Sequence, residues 1–288
     1  MIHRLAALMA LAMLATGCVA GASPAGIAHP SGANDLVLRI EVAGGMLAPG
    51  ATLNQIPMLS IFGDGRVIVS GPQIEIYPGP ALPNVISYRI SEEGLQKILE
   101  NADAAGLLGP DAHYDYPFIT DVPTTTFTVV ARGATHVISA YALSEASAND
   151  AQLDPDVRRA RAALYAFEQK VSDVRGFLGP TVVMEPEAPY QPAAIRIYAS
   201  PAQPEQGGGG EANFQDWPLS TPLASFGAPT GTLEGMRCGA VTGDDLKALM
   251  PQLKAANQLT YWRSDSGTFQ LILRPLLPDE SGCPAPNG

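Results

Sequence analysis

Basic residues are scarce in this sequence: 17 lysines and arginines stand against 28 aspartates and glutamates in 288 residues, a formal net charge of −11. A surface of this sign repels phosphate backbones and anionic lipid headgroups. We therefore expect no nucleic-acid partner, and no basic patch that would hold the protein on a membrane.

The sequence also has little of what common active sites need. It contains 4 histidines and no Gly-x-Ser-x-Gly, Ser-x-x-Lys or His-Glu-x-x-His motif. Its one run of glycines, residues 207–210, is not followed by the Lys-Ser/Thr pair of a phosphate-binding loop. We expect no cofactor, and a binding protein rather than an enzyme.

The apolar run near the N-terminus is short. Leu5–Ala15 has eleven residues, whereas a membrane-spanning helix needs about 20. A basic start, residues 1–4, precedes this run, and the small residues Thr16 and Gly17 follow it. This layout is typical of a secretory signal peptide. The alternative is a buried N-terminal helix.

Cys18 follows these small residues directly, so the segment resembles the lipobox of bacterial lipoproteins. Ala15 occupies the third position before the cysteine, and Leu14 stands one place earlier than the usual leucine. The resemblance implies cleavage before Cys18, a diacylglyceryl group on its thiol and an acylated amine. Two or three acyl chains anchor a protein stably, so we expect it on the extracytoplasmic side of a bacterial membrane. An ordinary signal peptide with a chance cysteine is the alternative.

If Cys18 carries lipid, two cysteines remain, Cys238 and Cys283. An even pair in an exported protein predicts a disulfide, because the compartment is oxidising. Two free thiols are the alternative.

Composition divides the chain into segments. Proline and glycine dominate between Leu178 and Ala194, which we interpret as a domain boundary, and again in a surface loop at Pro201–Ala212. The predicted organisation is a signal peptide at 1–17, a flexible tether at 18–34 that includes a solvated His29, an N-terminal α+β domain at 35–178, and a smaller C-terminal α+β lobe with the disulfide at 190–288.

The periodicity predicts an α+β fold in which antiparallel hairpins pack against amphipathic helices. Residues 36–42 alternate apolar and polar, as in a half-buried strand. Ser91 is a good N-cap for a first helix, and Asp154 followed by proline begins a second helix that we expect to run through Val174 to Gly176. Glycine-containing turns at 63–65 and 132–134 predict hairpins.

A second helix pattern suggests an internal repeat. Thr242-Gly243-Asp244-Asp245 reads as a capping box, and shifting the following leucines back by 151 residues places them on the apolar stripe after Ser91. Pro251 should kink or shorten this copy. Two related lobes would explain the similarity; the alternative is that any two capped amphipathic helices look alike.

One cluster of residues could bind a cation. Asp111, His113, Asp115 and Asp121 lie within eleven positions of one loop, and oxygen ligands suit calcium. Their spacing matches no known calcium loop. The alternatives are a ligand-contacting loop, or a structural loop whose aromatic residues pack on the core.

Two short stretches, Phe62–Val67 and Arg274–Glu280, resemble those of uncharacterised exported proteins of high-GC bacteria. The resemblance implies no activity. The leading hypothesis is a non-catalytic envelope lipoprotein that binds a protein or a small ligand. The alternatives are an envelope hydrolase with its site near Asp111–Asp121, and a protein inhibitor whose Pro201–Ala212 loop enters a partner's cleft. The acidic Asp279-Glu280 pair is predicted to be a solvated chain end.

Replacing Cys18 by serine should move most of the protein from the membrane fraction to the soluble fraction, because no acyl chain can then be attached. Cell fractionation and mass spectrometry of the natively expressed N-terminus measure this. Cys283→Ser is the matched control and should stay membrane-bound. An unmodified thiol at residue 18 in the mature protein would contradict the prediction.

Overall fold

Two β-sheets with helices packed against them organise the chain. The computed structural model describes residues 26–48, 50–145, 150–203, 210–265 and 267–284. Within these ranges there are two sheets, of eight and six strands, and four α-helices, which confirms the α+β class. No helix in the described ranges has both the length and the apolar composition needed to cross a bilayer.

The eight-stranded sheet forms the N-terminal lobe. Its order is β5-β7-β6-β1-β2-β3-β4-β8, and all neighbours are antiparallel except β5 and β7. The strands are β1 Leu36–Gly44, β2 Leu59–Phe62, β3 Arg66–Ser70, β4 Val85–Ile90, β5 Ala112–Tyr114, β6 Pro123–Ala131, β7 Ala134–Tyr141 and β8 Val183–Pro189.

The two predicted N-caps are confirmed. The Ser91 side chain accepts the Gly94 N–H (3.3 Å) at the start of α1, Glu92–Ala104, and Asp154 caps α2, Pro155–Val171. The expected continuation of α2 to Gly176 is wrong. The Asp173 carboxylate accepts the Gly176 N–H (2.9 Å) and caps a separate short helix, α3 Val174–Leu178, because an aspartate is a better cap than a helix-interior residue.

The core of this lobe lies between one face of the sheet and the helices. Alternation along β1 buries Leu38 and Ile40 there, while Arg39 and Glu41 project from the opposite face. Leu95 and Leu164 supply the helix side of the same apolar cluster. The outer face of β1 is thereby left for contacts with the rest of the chain.

The N-terminal lobe extends beyond the predicted end at residue 178. β8 lies in the stretch assigned to a boundary, yet it pairs with β4 as the last strand of the sheet. Its prolines are tolerated because it is an edge strand, where one row of N–H groups has no ladder partner. The lobe therefore ends at Pro189, close to the predicted start of the second lobe at 190.

The predicted tether is also shorter than expected, because residues 26–34 are fixed on the N-terminal lobe. Gln96 accepts the Ile27 N–H (2.7 Å) and donates to the Ile27 carbonyl (3.0 Å). His29, expected to be solvated, has only 8% of its side chain exposed, and its Nε2 lies 2.9 Å from Glu92. The rest of the predicted tether, together with the signal peptide and Cys18, lies outside the described residues.

The six-stranded sheet forms the C-terminal lobe around a single helix, α4 Gly243–Ala255. Trp262 and Leu249 lie in its core, which the sheet and α4 share. The order is β10-β13-β14-β9-β12-β11, with β10 and β13 parallel. The strands are β9 Ala194–Pro201, β10 Asn213–Asp216, β11 Ala228–Pro229, β12 Arg237–Thr242, β13 Thr260–Ser264 and β14 Gly267–Pro275.

The lobes share a strand–helix unit but not a connectivity. β12 followed by α4 stands about 151 residues after β4 and α1, as the internal similarity predicts. In the first lobe the leading hairpin strand, β6, pairs with the central β1; in the second lobe the trailing strand, β14, pairs with the central β9. The expected capping box is absent, since the Thr242 side chain makes no cap hydrogen bond, and α4 continues through Pro251.

After β14 the chain returns to the N-terminal lobe as a strap, residues 276–284. Leu277 is buried against Phe62 and Ile68 of the first lobe. At its far end the strap is attached to the second lobe by the Cys238–Cys283 disulfide, with a Cα–Cα distance of 6.0 Å, which confirms the predicted pairing.

The strap also carries two ion pairs, so the expected solvated chain end is wrong. Asp279 accepts a hydrogen bond from Arg39 of β1 (2.7 Å), and Glu280 accepts two from Arg274 of β14, one of them at 2.8 Å. Burial raises the pKa of Glu280, but hydrogen bonds from Arg274 and the Leu277 N–H and the charge of Arg274 outweigh burial and hold this pKa below 4.5.

Glu280→Gln should lower the free energy of unfolding at pH 7 by about 2–3 kcal/mol, since Arg274 stays buried without its counter-charge. A carboxylate with a depressed pKa stabilises the fold above its unfolded pKa of 4.5 and loses this effect as the pH falls through its folded pKa. Urea unfolding at pH 7 and pH 3 measures the difference, which should shrink at pH 3. Glu100→Gln, at an exposed helix position, is the control and should change neither value.

Candidate functional site

The predicted cation cluster is spread over a strand and a turn. Asp111, His113 and Asp115 alternate with inward residues on and around β5, so their side chains point to the exposed side. Successive outward positions on a strand are about 6.6 Å apart. Among the residues described, no three His, Cys, Asp or Glu side chains are placed to share a metal ion.

Each member of this cluster has a local hydrogen-bonding role. Asp111 accepts the Val137 N–H (2.8 Å), and His113 Nδ1 lies 2.8 Å from Ser139 Oγ, so both fasten β5 to β7. Asp115 accepts the N–H of the next residue (2.8 Å). Asp121 adopts a positive φ of 61° in a turn, and its carbonyl accepts the Met46 N–H (3.3 Å). The geometry therefore favours the structural-loop alternative over the cation site.

Arg161, which the sequence analysis did not single out, holds this loop in place. Its guanidinium is buried and donates to the carbonyls of Tyr114 (3.0 Å), Tyr141 (2.8 Å) and Ala142 (2.8 Å). It also lies 5.3 Å from the centre of the Tyr116 ring. Burial is the main reason that its pKa is lowered. The carbonyls of two chain segments thus converge on one cation that belongs to α2.

Glu168, two helical turns after Arg161, is the second buried charged residue on this face of α2. Its Oε2 is buried without a hydrogen-bond partner in the described structure. Burial raises the pKa of this carboxyl, the neighbouring Thr125 side chain lowers it less, and the charge of Glu145 raises it further. Residues 161, 164, 168 and 171 are spaced as one face of a helix, and two of them, Arg161 and Glu168, are charged residues in an otherwise apolar stripe. This pattern is the sequence feature from which both residues could have been identified.

A different surface stands out at the end of the N-terminal sheet. Two adjacent segments, joined by the Met46–Asp121 hydrogen bond, expose four large apolar side chains there. We name this the apolar tip: Met46 (79% exposed), Leu47 (53%), Phe118 (48%) and Ile119 (36%). Monomeric proteins rarely expose such groups together unless they form an interaction site.

The exposed charged residues of the two segments that form the apolar tip are acidic. From Val42 to Gly63 the chain has no charged residue, and segment 115–121 contributes only the exposed Asp115 and Asp121. The tip follows β1, whereas residues 26–34 precede it, so the two lie at opposite ends of a strand about 30 Å long. The apolar tip is therefore remote from the point where the chain enters the fold.

No protein-family model, curated protein or solved structure matches this chain. The function therefore has to be argued from the geometry above.

Glu168→Gln should raise the free energy of unfolding at pH 7 and leave it unchanged at pH 4. A carboxyl with a raised pKa costs stability once the pH exceeds its unfolded pKa of 4.5, because the native site must give up a proton it retains more strongly. Urea unfolding at the two pH values measures this, with Glu100→Gln as the control. Destabilisation at pH 7 that disappears at pH 4 would instead show that the charged form is needed for the fold.

Proposed function

We propose that this protein is a non-catalytic lipoprotein of the bacterial cell envelope, anchored through acylated Cys18, that binds another envelope protein through the apolar tip. The observation that carries the binding role is the exposure of Met46, Leu47, Phe118 and Ile119 on adjacent segments. The lipobox resemblance supports the anchor, and the disulfide fits an oxidising compartment.

The charges define the partner. Because Asp115 and Asp121 are the exposed charged residues of the two segments that form the apolar tip, a complementary protein presents an apolar pocket flanked by lysine or arginine. The same carboxylates disfavour insertion into an anionic lipid surface. The partner is therefore a protein rather than the bilayer.

The geometry also favours an apolar tip that is directed away from the membrane. Residues 19–25 separate Cys18 from the described fold, and even fully extended they span at most about 25 Å. The apolar tip lies at the far end of β1 from this attachment. A lipid-anchored molecule can thus present the tip to a partner that stands off the same membrane.

The alternatives have less support. The hydrolase hypothesis places its site near Asp111–Asp121, where the side chains of Asp111, His113 and Asp115 make local hydrogen bonds and Arg161 organises the backbone. The inhibitor hypothesis uses the Pro201–Ala212 loop, of which residues 204–209 lie outside the described structure. We retain the protein-binding lipoprotein as the conclusion.

A photo-crosslinking residue at Leu47 should give one discrete adduct in intact envelopes, and the double variant Met46→Ser/Phe118→Ser should reduce its yield about tenfold or more, since burying each of these side chains contributes about 1.5–3 kcal/mol. Asp115→Asn/Asp121→Asn should reduce the yield less and weaken its dependence on salt. Denaturing gels and mass spectrometry of the adduct measure both effects.

The matched control carries the crosslinker at Met184, which is also well exposed (63%) but lies on β8. The thermal midpoint of the double variant should equal that of the parent. The same adduct from both positions, or no adduct from Leu47, would contradict the proposal.

A further inference from the structure

A cleft of about 290 Å³ lies between the two lobes, beside the strap. One wall is the outer face of β1, a second is the loop 52–57, and the third is formed by β9 and β14 of the C-terminal lobe. Typical ligand pockets measure about 300–1,000 Å³. The cleft is therefore of a size for a small metabolite.

The wall of the cleft is held by charges that are already satisfied. Arg274 donates its terminal nitrogens to Glu280 and its Nε to the Gln55 carbonyl (3.0 Å), so its donors face these partners. Arg39, next to the cleft on β1, is paired with Asp279. These contacts join both lobes and the strap, and they fix the positions of the side chains that line the cleft. Not every polar group of the lining takes part in them.

Three other polar side chains that line the cleft have charged or hydrogen-bonding groups without a partner among the described residues. The half-buried Glu41 carboxylate makes no hydrogen bond or ion pair with the described residues. Arg196 uses Nε on the Gly282 carbonyl (2.6 Å), and its two terminal nitrogens have no partner in the described ranges. The Tyr198 ring is buried beside the disulfide, and its hydroxyl has no hydrogen bond to any described residue.

Apart from Thr52 and Gln55, the remaining lining is aliphatic. Val42, Leu53, Ile56 and Pro284 contribute carbon atoms to the same cleft. A small pocket with apolar walls and a few convergent polar groups is the usual form of a ligand site.

We propose that this cleft binds a small aliphatic α-amino acid, with its ammonium group on Glu41, its carboxylate on the terminal nitrogens of Arg196, and its side chain against Leu53 and Ile56. The arginine fork suits a carboxylate, which can accept two parallel hydrogen bonds. The Tyr198 hydroxyl supplies a further donor at the same end of β9.

The opposite signs of Glu41 and Arg196 select a zwitterion over a singly charged ligand. An anion bound to Arg196 would lie in the same small cleft as the Glu41 carboxylate, and a cation bound to Glu41 would lie near Arg196 and Arg274. Each would leave one partly desolvated charge without a partner, which is costly. A zwitterion satisfies both charges at once.

This inference does not depend on the lipid anchor or on the apolar tip. The amino-acid site and the proposed function can therefore be contradicted independently of each other. Calorimetric titration of the full-length protein in detergent with L-alanine, L-valine and L-leucine tests it directly. At least one should bind with a Kd below about 1 mM. For leucine, the matched analogues are isoamylamine, which lacks the carboxylate, and 4-methylpentanoate, which lacks the ammonium group; each should bind about tenfold more weakly or worse.

Two variants assign the charges to their residues. Arg196→Gln should reduce leucine affinity about tenfold or more without weakening isoamylamine binding, and Glu41→Gln should reduce leucine affinity about tenfold or more without weakening 4-methylpentanoate binding. Arg159→Gln and Glu100→Gln, on exposed helix positions, are the controls and should bind all three compounds like the parent. Binding of no amino acid, or equal binding of leucine and one of its analogues to the parent protein, would overturn the proposal.

Discussion

The contact between Arg274 and Glu280 connects the parts of this molecule. Arg274 belongs to β14, its carboxylate partner belongs to the strap, and its Nε reaches the Gln55 carbonyl of the other lobe. Both side chains are largely removed from water, so each is tolerable only in the presence of the other. The position of the C-terminal lobe on the outer face of β1, and with it the shape of the cleft, depends on this pair and on the buried Leu277 beside it.

Signals that act over a few residues could be predicted from the sequence. Ser91 and Asp154 begin helices because their side chains cap nearby N–H groups. The turn at Arg132-Gly133 forms a hairpin because both residues adopt positive φ, as the tightest hairpin turns require. Long-range pairings could not be predicted. β8 contains two prolines and two glutamates, and it is a strand because the edge of β4 is available to it.

The difference between local and long-range signals also explains which site residues could be predicted from the sequence. Asp111, His113 and Asp115 look like ligands in sequence, but the parallel pairing of β5 with β7 turns them outward and uses them as local hydrogen-bond partners. Glu41 and Arg196, which line the same cleft, are 155 positions apart and belong to strands of different lobes. No spacing rule relates residues that far apart.

The strap is synthesised after every strand of both sheets. The N-terminal sheet is complete at Pro189, so it can form while later residues are still being delivered, as N-terminal domains generally do. Phe62 and Ile68 on the outer face of this sheet then stay uncovered until Leu277 has been synthesised and packs against them. During that interval an apolar surface lies open to solvent, and a chain truncated before residue 276 would keep it open permanently.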